Sequence, residues 1–168
     1  MKRIFPLALI TLGVLLSLGA LGRLYLNNRA GSLEIVELPD ELVGLQITES
    51  RRGAEAMAEF ADLHGKRFQI SSGAVGIYGN GQITLWVAAT DSPSLAAQLT
   101  SAMQVKIAEG NSPFTPVDEI SNGRRTIYVL EGMGQRHYYF LSKNLVIWMA
   151  ADRAVADNAL QQTLEVYP

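Results

Sequence analysis

Two histidines, His64 and His137, are the only side chains here whose ordinary pKa lies near neutrality, and the chain contains no cysteine. The missing thiols exclude thiolate nucleophiles, Cys-ligated zinc or iron–sulfur centres, disulfides and an acyl-cysteine lipoprotein anchor. His64 falls one turn after Phe60 at the end of a predicted helix, where a partly charged imidazole gains from the helix dipole. His137 alternates with Tyr139 along a predicted strand. Neither belongs to an H-x-x-x-H or H-E-x-x-H pattern, so both read as structural.

Other chemistry is equally thin. No G-x-S-x-G elbow occurs, and Ser71-Ser72-Gly73 and Ser142 read as turn residues. Asp40-Glu41 and Asp118-Glu119 are adjacent carboxylates, but neighbours in a strand point to opposite faces and form no acid–base dyad by themselves. Glycines 73, 76, 79 and 81 lack the spacing and the strand-to-helix turn of a phosphate cradle. These residues predict no catalytic residue, no metal site and no cofactor.

Two groups are candidates for binding. Gly132-Met133-Gly134-Gln135-Arg136-His137 mixes a flexible turn with polar side chains, which makes Met133, Gln135, Arg136 and His137 a candidate polar loop. Its plain reading is a hairpin turn. The second group is aromatic: Trp86 and Trp148 occupy matching positions in two similar strands, and Tyr128, Tyr138 and Phe140 could join them on one sheet face. Because both faces of these strands are apolar, the sheet reads either as buried on both sides or as keeping a partly exposed aromatic face for a partner.

The elements that must carry these residues follow from periodicity. Glu34–Pro39 reads as extended and 42–48 as a strand. Gly53–His64 is an amphipathic helix with Met57, Phe60, Ala61 and His64 inward and Gly65 as its stop. Two β-rich runs, 74–78 and 82–89, flank Gly79-Asn80-Gly81, a strong hairpin signal. Asp91-Ser92-Pro93 then caps a helix whose stripe is Leu95, Leu99, Met103 and Ile107. After a proline-rich connection at 111–116, strands are expected at 117–120, 125–131, 136–141 and 145–151. A last helix opens near Asp152, with Ala159, Leu160, Leu164 and Tyr167 inward. The run 81–91 resembles 144–152, a hairpin-then-helix unit that occurs twice. The expected class is α+β: an antiparallel sheet of about six strands, with three helices mainly on one face.

Ahead of this body, Met1-Lys2-Arg3 precedes 19 uncharged, mostly apolar residues from Ile4 to Gly22, followed by Arg23. That length suits a transmembrane helix, which needs about 20 residues. Ala20-Leu21-Gly22 would also suit a signal peptidase, so cleavage stands as the alternative. The expected organisation is an anchor at 1–26, a short tether at 27–34 and one domain at 35–168. The N-terminus is then cytoplasmic and the domain periplasmic or extracellular. All 16 acidic residues lie beyond the anchor, whereas Lys2, Arg3 and Arg23 do not. The mildly acidic domain has no basic cluster for nucleic acid. The resulting expectation is a membrane-anchored, non-enzymatic interaction domain, an accessory subunit contacting other membrane proteins. An exported small-ligand or haem-binding protein, with His137 or Met133 as a ligand, and an envelope hydrolase without a recognisable motif are the alternatives.

Overall fold

Period-two alternation governs most of the chain between 41 and 151, and those residues form one eight-stranded antiparallel sheet. The computed structural model describes residues 36–64, 69–110 and 112–168. The apolar segment 4–22 and the tether 27–34 lie outside them. Among the described residues no helix is long and apolar enough to cross a membrane.

The elements run β1 (Glu41–Leu42), β2 (Leu45–Arg52), α1 (Ala54–His64), β3 (Ser72–Tyr78), β4 (Ile83–Ala89), α2 (Pro93–Ala108), β5 (Phe114–Asn122), β6 (Arg125–Gly132), β7 (Gln135–Ser142), β8 (Leu145–Ala151) and α3 (Ala156–Val166). Strand order is β1-β2-β3-β4-β8-β7-β6-β5. Two meanders therefore meet at one seam, β4 against β8. The α+β class and the three helices stand, but the sheet has eight strands rather than about six. The two-residue β1 splits from β2 at Val43-Gly44, both with positive φ, and β5 begins at Phe114, inside the expected proline-rich connection.

Trp86 and Trp148 are direct partners in the seam, and the register is symmetric about them: Ile83 faces Ala151, and Ala89 faces Leu145. The sequence echo is thus a strand echo. A helix follows each of the two strands, α2 after β4 and α3 after β8, but the two lie on opposite faces of the sheet. Leu85, Val87, Ile147 and Met149 on one face pack with Ala159, Leu160 and Leu164 of α3 and with Val36, Leu38 and Leu42. On the opposite face α1 sets Ala56 and Phe60 on Val75, Trp86 and Ala88. There α2 crosses the seam to place Met103 and Ile107 on Leu130, Tyr139 and Trp148. The helices therefore cover both faces, two on one and α3 on the other, because the apolar surface of these strands is two-sided.

Helix faces shift slightly from their expected stripes. In α2, Ser92 caps the helix by accepting a hydrogen bond from the Leu95 amide at 3.2 Å. The buried residues are Ala96, Thr100 and Ile107, with Leu95, Leu99 and Met103 half-buried. Small residues at 96 and 100 let the helix lie close to the sheet, and the longer side chains flank it. In α1 Ala56 joins Phe60 as the buried pair, while His64 is exposed. Gly73 sits under Phe60, where an added Cβ would lie 2.5 Å from the ring. The α3 face is pinned to the segment before β1: Tyr78 donates to the Pro39 carbonyl at 2.9 Å and Tyr167 to that of Glu37 at 2.7 Å. Burial raises the pKa of both phenols.

Candidate functional site

Cross-strand register builds a row of side chains over the face shared by α1 and α2. Val75, Trp86, Trp148, Tyr139, Tyr128 and Glu119 succeed one another across β3, β4, β8, β7, β6 and β5. Tyr139 stacks on Trp148 with centroids 5.3 Å apart and planes 10° from parallel, and Tyr128 stacks on Tyr139 at 4.7 Å. Phe114 leans on Trp148 at 5.0 Å and on His137 at 4.6 Å. Such contacts contribute about 0.5–1.5 kcal/mol each beyond area burial.

The expected aromatic group is therefore divided. Trp86, Trp148 and Tyr128 share a face, but Tyr138 and Phe140 lie on the other, in the core beneath α3. Tyr138 donates to Asp157 Oδ1 at 2.6 Å, and its pKa is raised by burial and by that carboxylate. The physical reason is turn length. Ser142 pairs with Leu145, so the loop is the two residues Lys143-Asn144 and sets Tyr139, not Tyr138, opposite Trp148.

Each indole N–H is engaged. Trp86 donates to Glu59 Oε1 at 3.0 Å, and Glu59 also accepts from Arg51. Trp148 donates to His137 Nδ1 at 3.1 Å, while His137 Nε2 meets the Gly132 carbonyl at 3.0 Å. These partners assign a neutral imidazole with its proton on Nε2. Burial lowers the His137 pKa, against smaller upward effects of the Gly132 bond and of Glu131. With both ring nitrogens engaged, His137 has none left for a metal or haem iron in this arrangement. Met133, 79 % exposed at the tip of the β6–β7 turn, does not converge on it.

The candidate polar loop is held in a network at one end of the sheet. Gln135 donates to Asp152 Oδ1 at 3.0 Å and to the Gly81 carbonyl at 3.1 Å. Glu131 receives Arg136 at 3.1 Å and Arg153 at 2.8 Å, Arg153 more strongly, and these bonds hold its carboxyl below the usual range. Gln135 and Arg136 thus fasten β7 to its neighbours. Asp40-Glu41 lies at the start of β1, far along the sheet order from Asp118-Glu119 in β5. Among the described residues no three His, Asp or Glu side chains cluster as a metal site.

One open feature lies at the β5 end of the aromatic row. A cleft of about 200 Å³ runs between α2 and the sheet margin, with Ile107, Leu130 and Pro116 among its apolar walls and Gln104, Asp118, Glu119, Tyr128 and Tyr139 among its polar lining. Tyr139 is 2 % exposed and lines this cleft. Its hydroxyl has no hydrogen-bond partner among the described residues, yet no enclosed side-chain polar atom lacks a partner. The hydroxyl therefore meets the space of the cleft. Burial, with smaller contributions from Tyr128 and Glu119, pushes its pKa to about 12, so it is a neutral phenol at physiological pH. Sequence reasoning missed Tyr139, Gln104 and Glu119 as a group, since the cleft joins four elements between residues 104 and 139 and needs the strand register. Comparison with protein-family models, with curated proteins and with solved structures finds no match to this chain.

Proposed function

We propose that this chain is a membrane-anchored extracytoplasmic interaction domain, a non-catalytic accessory subunit of a cell-envelope membrane protein assembly. Residues 4–22 serve as the anchor and the α2–β5 corner docks the partner. The observation that carries the reading is that corner, where the cleft and its unpartnered phenol lie between elements that also carry exposed apolar side chains. Val105 on α2 is 58 % exposed and Val117 on β5 52 %. Elsewhere the candidate polar groups bond within the domain, and the aromatic row packs under helices. The cleft volume favours a protein contact over a cofactor, because small-molecule sites run to about 300–1,000 Å³.

Photo-crosslinking tests this in native membranes, using the intact chain with a photoreactive residue at Val105 or, as control, at Gln161 on the exposed side of α3. A stoichiometric membrane-protein adduct from position 105 but not from 161 is expected. A lone monomer after mild detergent extraction, with no adduct from either position, overturns the reading. Protease protection of the C-terminal domain in sealed spheroplasts would overturn the proposed topology.

A further inference from the structure

The cleft between α2 and β5 has a chemistry that selects its occupant, and this inference rests on the interaction reading above. Its rim carries the Glu119 carboxylate, on the face of β5 that pairs with Tyr128, and Glu119 has no ion pair among the described residues. Asp118 pairs with Val129 on the opposite face and accepts a hydrogen bond from the Glu119 backbone N–H at 2.8 Å. Nearby acidic residues of this face are matched, Glu59 by Arg51 and Glu109 by Lys106. The Glu119 charge is therefore left unmatched at this corner.

Three further features narrow the partner. Tyr128 is half-buried and stacks one ring face on Tyr139, which leaves the other turned toward β5 and Glu119. The Tyr139 phenol adds a neutral oxygen that can accept a hydrogen bond. Ile107, Leu130 and Pro116 provide apolar wall for an aliphatic stem. The geometry points to an arginine side chain of a partner protein as the occupant. Its guanidinium bonds the Glu119 carboxylate and lies against the free face of Tyr128, and its methylenes follow Ile107 and Pro116. A planar cation with a fork of donors uses carboxylate, ring face and phenol oxygen together. An acidic side chain meets the like charge of Glu119 instead.

The test uses the full chain in detergent micelles, with N-acetyl-arginine methylamide as the probe and its citrulline counterpart as the uncharged control of the same shape. Binding is read from the NMR signals of the Ile107 methyl groups and the Tyr128 and Tyr139 rings. A dissociation constant in the millimolar range is expected for the arginine compound, at least about tenfold below that for citrulline. Glu119→Gln should weaken arginine binding about tenfold, and Tyr139→Phe, which keeps the ring stack, about threefold. Equal binding of the two compounds, no binding, or indifference to Glu119→Gln overturns the inference. The interaction reading fails separately: a crosslinked partner from position 105 that persists in Glu119→Gln leaves that reading standing while the arginine contact falls.

Discussion

Trp86 and Trp148 face each other across the central seam on equivalent strand positions, yet their surroundings differ. Trp86 lies under α1, and its N–H goes to a carboxylate already paired with Arg51. Trp148 stacks on Tyr139 and meets Phe114 at a tilt under α2, and its N–H goes to a neutral imidazole on β7. Strand register sets where a side chain stands. The elements laid over the sheet then decide whether that place is held by charge or by stacking.

Truncation should give the largest contrast. Trp148→Ala removes the stack on Tyr139, the contact with Phe114 and the donor to His137, and should cost about 3–5 kcal/mol in urea unfolding. Trp86→Ala keeps Phe60 on Val75 and should cost at least about 1 kcal/mol less. Equal losses would break the comparison. Next come the glycines under each cluster. A Cβ at Gly132 would meet the Pro113 carbonyl at 2.7 Å and Phe114 at 2.6 Å, whereas one at Gly73 meets the Phe60 ring alone. Gly132→Ala should therefore destabilise by about 1–3 kcal/mol, and Gly73→Ala by less, since a ring end yields more readily than backbone.

A smaller effect follows from His137. Its folded pKa is depressed by burial, so the unfolded chain takes up a proton near the ordinary pH of about 6.5 while the native protein does not. The His137 contribution is full above that pH and is lost as pH falls through the lower folded value. Unfolding midpoints at pH 7.5 and 5.5 should separate less in His137→Asn than in the parent. An unchanged separation would remove the imidazole from the account. The smallest effect belongs to the Trp86 side: Arg51 is partly solvated, so Arg51→Ala should shift stability by only about 0.5–1 kcal/mol. A loss above about 2 kcal/mol would show that charge holds this cluster as firmly as stacking holds the other.

Much of the sheet was legible from alternation and turn signals. The hairpin at Gly79-Asn80-Gly81, the strands 125–131, 136–141 and 145–151 and the α2 cap all fall where residue type places them. What escaped depends on relations between elements. Parity across Lys143-Asn144 sent Tyr138 and Phe140 to the wrong side, because a turn read as three residues rather than two reverses every facing position. The helix faces were hidden since α2 and α3 follow similar strands yet pack on opposite sides. Trp86 and Trp148 were paired correctly, from a repeat visible in the residues themselves. The cleft left almost no trace, apart from the odd-numbered alternation of His137 and Tyr139, since Gln104 and Glu119 are ordinary surface residues until folding sets them beside two tyrosines.

The first four-strand run is joined by short-range turns and one helix connection, the second by hairpins alone, and only the β4–β8 ladder ties run to run. Non-local pairing is the slow part of assembly, so closure of that seam should set the folding rate. A break in the backbone between α2 and β5 would sever no rung of the ladder. Two such fragments, mixed, have the interlocking surfaces to find each other, with α2 from one laid across the strands of the other like a clasp; the molecule is a natural candidate for splitting into a complementation pair.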